Sequence, residues 1–162
     1  NERMTALSYE AHVKYTGRHF TFAAKSLLAS CLDHTALIGG YGISSIDPDN
    51  GEQEYTPFWH STSWINFTCG TKWKGHFFAG YTKNLGTADV LVSATVYGMG
   101  LDIDQVFSTN IAFSYNLPHW QIGMEYMPTT AWYGDTDKAF GKTVNTHSVT
   151  NHRILGLVMY YF

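Results

Sequence analysis

The chain has 162 residues, enough for one domain with a substantial core, and no shift in composition divides it in two. Ten Lys and Arg against 13 Asp and Glu, scattered without a basic run, exclude a binder that tracks a phosphate backbone, so no nucleic-acid partner is expected. Aromatic residues make up 16% and charged residues only 14%, well below the usual share of about 25%, and no apolar run approaches the roughly 20 residues of a membrane helix.

Two architectures suit such a chain: a soluble β-sandwich or barrel, and a transmembrane β-barrel whose alternating strands hide the membrane signal. Residues 7–16 alternate cleanly, with Leu7, Tyr9, Ala11, Val13 and Tyr15 on one face and Ser8, Glu10, His12, Lys14 and Thr16 on the other. Gly17-Arg18 is short enough for a hairpin turn into HFTFAAKSLL, which carries Lys25. Next, SWINFTCG sets Ile65, Phe67 and Cys69 against Asn66 and Thr68. A turn at Thr71-Lys72 leads into GHFFAGYT, where Phe78 is an apolar intruder on the side of His76 and Thr82. VFSTNIAFSYN places Phe107, Ile111, Phe113 and Tyr115 opposite Ser108, Asn110, Ser114 and Asn116. After the Leu117-Pro118 turn, WQIGMEYM sets Trp120, Ile122, Met124 and Tyr126 against Gln121, Gly123 and Glu125. No helical period competes.

Between the tight turns lie long polar stretches, residues 29–61, 84–104 and 134–150, which read as loops. Short turns at one end and long loops at the other are the layout of an outer-membrane barrel. Aromatics cluster at strand ends: Tyr15 and Phe20 at the first turn, Tyr115 and Trp120 at the third, Trp64 and Tyr81 nearer the loops. Such rings suit the headgroup level of a bilayer, although they would also fill a dry β core.

The last segment, NHRILGLVMYYF, shares one parity among Ile154, Val158, Tyr160 and Phe162. This resembles the carboxy-terminal signature of bacterial outer-membrane barrels, which implies recognition by the barrel-assembly machinery on the lipid-facing side. The opposite parity, Leu155, Leu157, Met159 and Tyr161, is too apolar for a watery lumen, so a covering inner segment is expected there. The blocks GHFFAGYTKNLGT, EYMPTTAWYGD and NHRILGLVMYYF, in that order, resemble the last half of DcaP-like porins of the Bacteroidetes, from about Thr35 (in TALIGGYG) to the end. The resemblance implies a homotrimer of roughly sixteen-stranded channels in a Gram-negative outer membrane, bounded by lipid bilayer and lipopolysaccharide and passing small, often anionic, solutes. It implies no particular binding residue.

The reading is therefore an all-β protein: one antiparallel transmembrane β-barrel domain over residues 1–162, with about seven or eight strands in this chain. Counting back from Phe162 puts all three tight turns on one side only if TALIGGYGISSID is an external excursion and not an eighth crossing. Seven crossings suggest part of a longer barrel, and an amino-terminal Asn1 fits either a removed leader or a piece of something longer. Glu10, His12, Lys14, Lys25, Glu125 and Arg153 share the polar parity and are the candidate pore-lining residues. They would either favour anions or simply pair with one another along a wet wall.

No metal or other cofactor is expected. The eight histidines lack ligand spacing and suit loops and the lumen, with His147 and His152 the nearest pair. The acidic runs at Asp47 to Glu52, Asp102/Asp104 and Asp135/Asp137 match turn chemistry as well as a calcium loop. Without a GxSxG elbow or a nucleophile beside a base, no enzyme is expected. Cys31 and Cys69 are too few for a disulfide framework, and either one bridge or two free thiols fits. The alternatives kept open are a small non-conducting outer-membrane barrel with a structural or adhesive role, and a soluble ligand-binding β-barrel.

Overall fold

The computed structural model describes residues 4–32 and 38–162, and every regular element in them is a β-strand. Nine strands form one antiparallel sheet: β1 (Ser8–Thr16), β2 (Phe20–Ser30), β3 (Gly39–Ile46), β4 (Gln53–Gly70), β5 (Trp73–Thr87), β6 (Val96–Met99), β7 (Ile103–Asn116), β8 (Trp120–Thr136) and β9 (Thr143–Tyr160). Seven of them make a continuous wall in the order β1-β2-β4-β5-β7-β8-β9. The sheet is open: the outer edges of β1 and β9 have no strand partner among the described residues.

The three expected tight turns all lie at one end of the wall. They are knitted into a rim by backbone hydrogen bonds from Gly70 to His19, Asn116 to Lys72 and Tyr161 to His119. At the other end β3 pairs with the first residues of β4, beyond the wall, and its far edge takes β6. The segment from Gly39 is thus a strand, and it is the excursion outside the main path. Thr35 to Leu37, where TALIGGYG begins, lie outside the described residues.

The long stretches expected as loops are mostly strand. β4 and β9 each run 18 residues, and β3, β6 and the upper halves of β5 and β8 take up most of the polar spans. Alternation fails as a signal there because both faces of the upper strands carry polar side chains. Even the enclosed face is largely polar there, with Thr56, His60, Asn84 and Thr87 buried, so these strand halves display no hydrophobic period.

Register makes the two faces explicit. One row runs Tyr15–Phe22–Phe67–Phe77–Ile111–Tyr126–Ile154 across all seven strands. From Tyr15 it is one residue to the end of β1 at Thr16, from Phe67 three to Gly70, from Ile111 five to Asn116 and from Ile154 six to Tyr160. The turn end therefore drifts by about one residue per strand. With a rise of about 3.3 Å per residue and strands about 4.8 Å apart, that drift corresponds to a strand tilt of roughly 30–35°.

The apolar side of this wall has no second layer among the described residues. Met124, Phe113, Val158 and Ile154 are 67%, 64%, 65% and 73% exposed. The polar side is the more enclosed: in β8, Gln121, Gly123 and Glu125 are half-buried while Trp120, Ile122, Met124 and Tyr126 stand exposed. Among the described residues the apolar core cluster, Phe58, Leu91 and Leu101 with Val96 against it, sits at the loop end, where Leu91 of the β5–β6 connection is buried.

Candidate functional site

The candidate site is the polar face of the wall. Glu10, His12, Lys14, Lys25, Glu125 and Arg153 all lie on it, by the register that sets Lys25 opposite His12, Ala23 opposite Lys14 and Leu155 opposite Glu125. They gather into two groups. On β1 and β2, Glu10 accepts from Lys25 Nζ at 2.8 Å and lies 3.2 Å from His12 Nδ1. On β8 and β9, Arg153 Nη2 donates to Glu125 Oε1 at 2.7 Å. Lys14 joins neither group and makes no ion pair among the described residues.

Lys74 belongs on the same face and was not singled out from the sequence. It pairs across from Gly70 and Ser114, one residue from the turn. Carrying the alternation of GHFFAGYT back to Trp73-Lys74 would have found it. It too lacks an ion pair among the described residues. Lys14 and Lys74 thus put two unpaired cations near the turn end of the polar face.

On the opposite face the side chains over about nine residues from the turn end are mostly apolar, interrupted by the hydrogen-bonded pair Ser26 and Ser63 and by Thr109. Above them come Ser61, Lys83, Gln105, Thr150 and Ser148. Nine residues tilted by about 35° span about 24 Å, close to the roughly 25 Å apolar band of an outer-membrane barrel. Tyr15, Phe20, Trp73, Tyr115, Trp120 and Tyr160 ring its lower edge, several in direct contact: Trp73 with Tyr115 at 4.5 Å and Trp120 with Tyr160 at 4.8 Å between ring centroids. Tyr9, Tyr81 and Phe107 mark the upper edge. Trp64 departs from the expected girdle. It pairs with Lys25 and Gly80 and so lies on the polar face, where its ring meets that of Phe78 at 6.3 Å.

Ile154, Val158, Tyr160 and Phe162 share the apolar face as expected, and all four are exposed. No inner segment covers the other side of β9 among the described residues. Leu155 and Leu157 are 46% and 38% exposed, so their apolar character is not explained by a plug over that strand.

His152 lies on the apolar face at the upper edge of the belt, not in the lumen or a loop. Its ring stacks on Tyr126 and its Nδ1 sits 2.8 Å from the phenol oxygen. The acidic runs resolve into turns, with Asp47 Oδ1 accepting from Asp49 N and Asp137 Oδ2 from Phe140 N. Asp104 instead holds Lys83 Nζ at 2.6 Å. No group of three or more His, Cys, Asp or Glu among the described residues is placed to hold a metal ion. Cys31 and Cys69 are not bridged to each other.

Above the belt, the β8–β9 connection folds over the polar face. Phe140 and Ala139 accept backbone hydrogen bonds from Thr87 and Leu91, and Asn84 Nδ2 reaches Gly141 O and Thr143 Oγ1 at 3.4 Å. Beneath this flap His60 is 1% exposed and neither ring nitrogen has a hydrogen-bond partner. Burial pushes its pKa down to about 4. The Phe58 backbone opposes that shift in part without completing a hydrogen bond.

No protein-family model, no curated protein and no solved structure matches this chain.

Proposed function

We propose that the chain forms part of an outer-membrane porin-like channel in a Gram-negative bacterium, for passive diffusion of small hydrophilic solutes. The observation that carries this reading is the exposed apolar face, about nine residues tall and edged by aromatic rings, on a sheet whose polar face is the enclosed one. In water such a face would demand a second layer. In a bilayer it meets acyl chains, while the polar face encloses solvent. The tilt of roughly 30–35° approaches the tilt of about 35–45° in transmembrane barrels, and the aligned tight turns suit a periplasmic rim.

Lipid tolerates no unpaired backbone, so the edges of β1 and β9 need partners. Both strands run toward the turn end and could pair with each other only in parallel. Antiparallel closure takes an odd number of further strands, and nine would complete the sixteen of the porins this chain resembles. A homotrimer assembled through the carboxy-terminal signature belongs to the same proposal.

Selectivity would come from the wall. Glu10 and Glu125 are each matched by a cation, whereas Lys14 and Lys74 are not, and this surplus near the turn end favours anions. The β8–β9 flap over Phe58 would narrow the other mouth.

Planar-bilayer recording of the full-length chain tests the proposal. Discrete conductance steps are expected, with a reversal potential in a KCl gradient that favours chloride. The double variant Lys14→Ala, Lys74→Ala should lower the chloride-to-potassium permeability ratio at least twofold. A detergent-free, monomeric, soluble protein overturns the channel in favour of a ligand-binding barrel, and membrane insertion without conductance favours the structural barrel.

A further inference from the structure

Halfway up the polar face, Asn66, Phe78 and Asn110 stand side by side on β4, β5 and β7. Adjacent strands lie about 4.8 Å apart, so the phenyl ring has a carboxamide at about that distance on either hand. Gly80 comes two residues after Phe78 on the same face. A Cβ at Gly80 would come within 2.9 Å of Phe78 Cζ, so the missing side chain is what lets the ring lie down along the wall. Trp64, paired directly with Gly80, extends the surface with its ring tilted 34° to that of Phe78. Two aromatic rings thus form a shelf on the water-facing side, where the alternation calls for polar residues.

Asn66, Phe78 and Asn110 line an open trough of about 400 Å³, with Gln121, Glu125 and Leu155 on its far side; Trp64 stands beyond its edge. The Asn110 carboxamide is engaged with Glu125, and part of the remaining hydrogen-bonding capacity is unspent. Asn66 makes no side-chain hydrogen bond among the described residues, and Gln121 uses only Oε1, which accepts from the Tyr161 hydroxyl at 2.9 Å. The charge of Glu125 is already matched by Arg153.

We propose that this trough binds a saccharide. A pyranose presents an apolar C–H face and a rim of hydroxyls. Phe78, with the Trp64 ring tilted beyond it, offers an apolar surface to the first, and the carboxamides of Asn66 and Gln121, with Asn110 beside Glu125, offer donors and acceptors to the second. A simple anion finds no unmatched cation within the trough. An apolar ligand would leave the carboxamides desolvated and unpaired. The inference rests on the reading that this face meets water, and it names a solute class for the same wall.

The test is calorimetric titration of the full-length protein in detergent micelles with maltotetraose, alongside the bilayer recordings. Saturable binding is expected. Phe78→Leu, which keeps apolar volume but removes the ring face, should weaken it about tenfold, and Asn110→Ala several-fold. Both variants should retain the β circular-dichroism signal and the heat-modifiable gel mobility of the parent. Absence of saturable maltotetraose binding, or binding that Phe78→Leu and Asn110→Ala leave unchanged, overturns the proposal. Binding without conductance upholds the trough and overturns the channel, and conductance without binding does the reverse.

Discussion

Replacing Ile111 with Arg tests which side of the wall meets lipid, because Ile111 sits near the middle of the apolar belt. It is five residues from Asn116 at the end of β7, and at a tilt of about 35° each residue climbs about 2.7 Å, giving a height of about 13 Å in a band of about 24 Å. An Arg at the midplane of a transmembrane barrel costs about 2–4 kcal/mol, falling to about 0–1 near the interface. Tyr115, one residue from the same end, lies at the lower edge and should lose no more than about 1 kcal/mol as Arg. Asn110 adjoins Ile111 but faces the polar side, and its Arg variant should also stay within about 1 kcal/mol. The expected gap of about 3 kcal/mol between Ile111→Arg and Asn110→Arg is about two orders of magnitude in the folding equilibrium. Urea titration of the full-length chain in phospholipid vesicles, followed by tryptophan fluorescence, measures it. A flat profile along Tyr115, Phe113 and Ile111 would refute the assignment. So would a larger penalty at Asn110, or the same penalties without lipid.

Two further outcomes follow from the flap at the loop end. Gly141 has φ +61°, and a Cβ there would run into the Phe58 ring, so Gly141→Ala should destabilise the chain by about 2–4 kcal/mol. Amide exchange at residues 137–143 should quicken with it, and unchanged protection would show that the Gly141–Phe58 contact does not hold the flap. His60 is neutral when folded, with its pKa pushed down from 6.5 to about 4. Its contribution is fully present above about pH 6.5, declines as pH falls toward 4 and is worth up to about 3 kcal/mol. His60→Leu should be nearly neutral at pH 7 and should remove this part of the acid sensitivity in urea midpoints measured from pH 7.5 to 4. An unaltered pH profile would mean that the ring is not buried as described.

Alternation in the lower half of each strand made the β class, the three tight turns and the shared face of Glu10, His12, Lys14, Lys25, Glu125 and Arg153 legible in the sequence. Side-chain parity along a strand is a local property, and a two-residue period survives any tertiary arrangement. The upper strand halves were not legible, because residues such as Thr143 to Thr150 lack a one-sided hydrophobic pattern and are held in the sheet by backbone pairing with β8. Lys74 was hidden by its place at a turn, and Trp64 because an aromatic near a loop suits either face. What the sequence determined by itself was which residues share a side. Only the tertiary structure decided which residues are neighbours across strands, and with that the matched and unmatched charges, the ring shelf over Gly80 and the buried His60. Register between strands is a long-range choice, made by the whole sheet at once and written in no single segment.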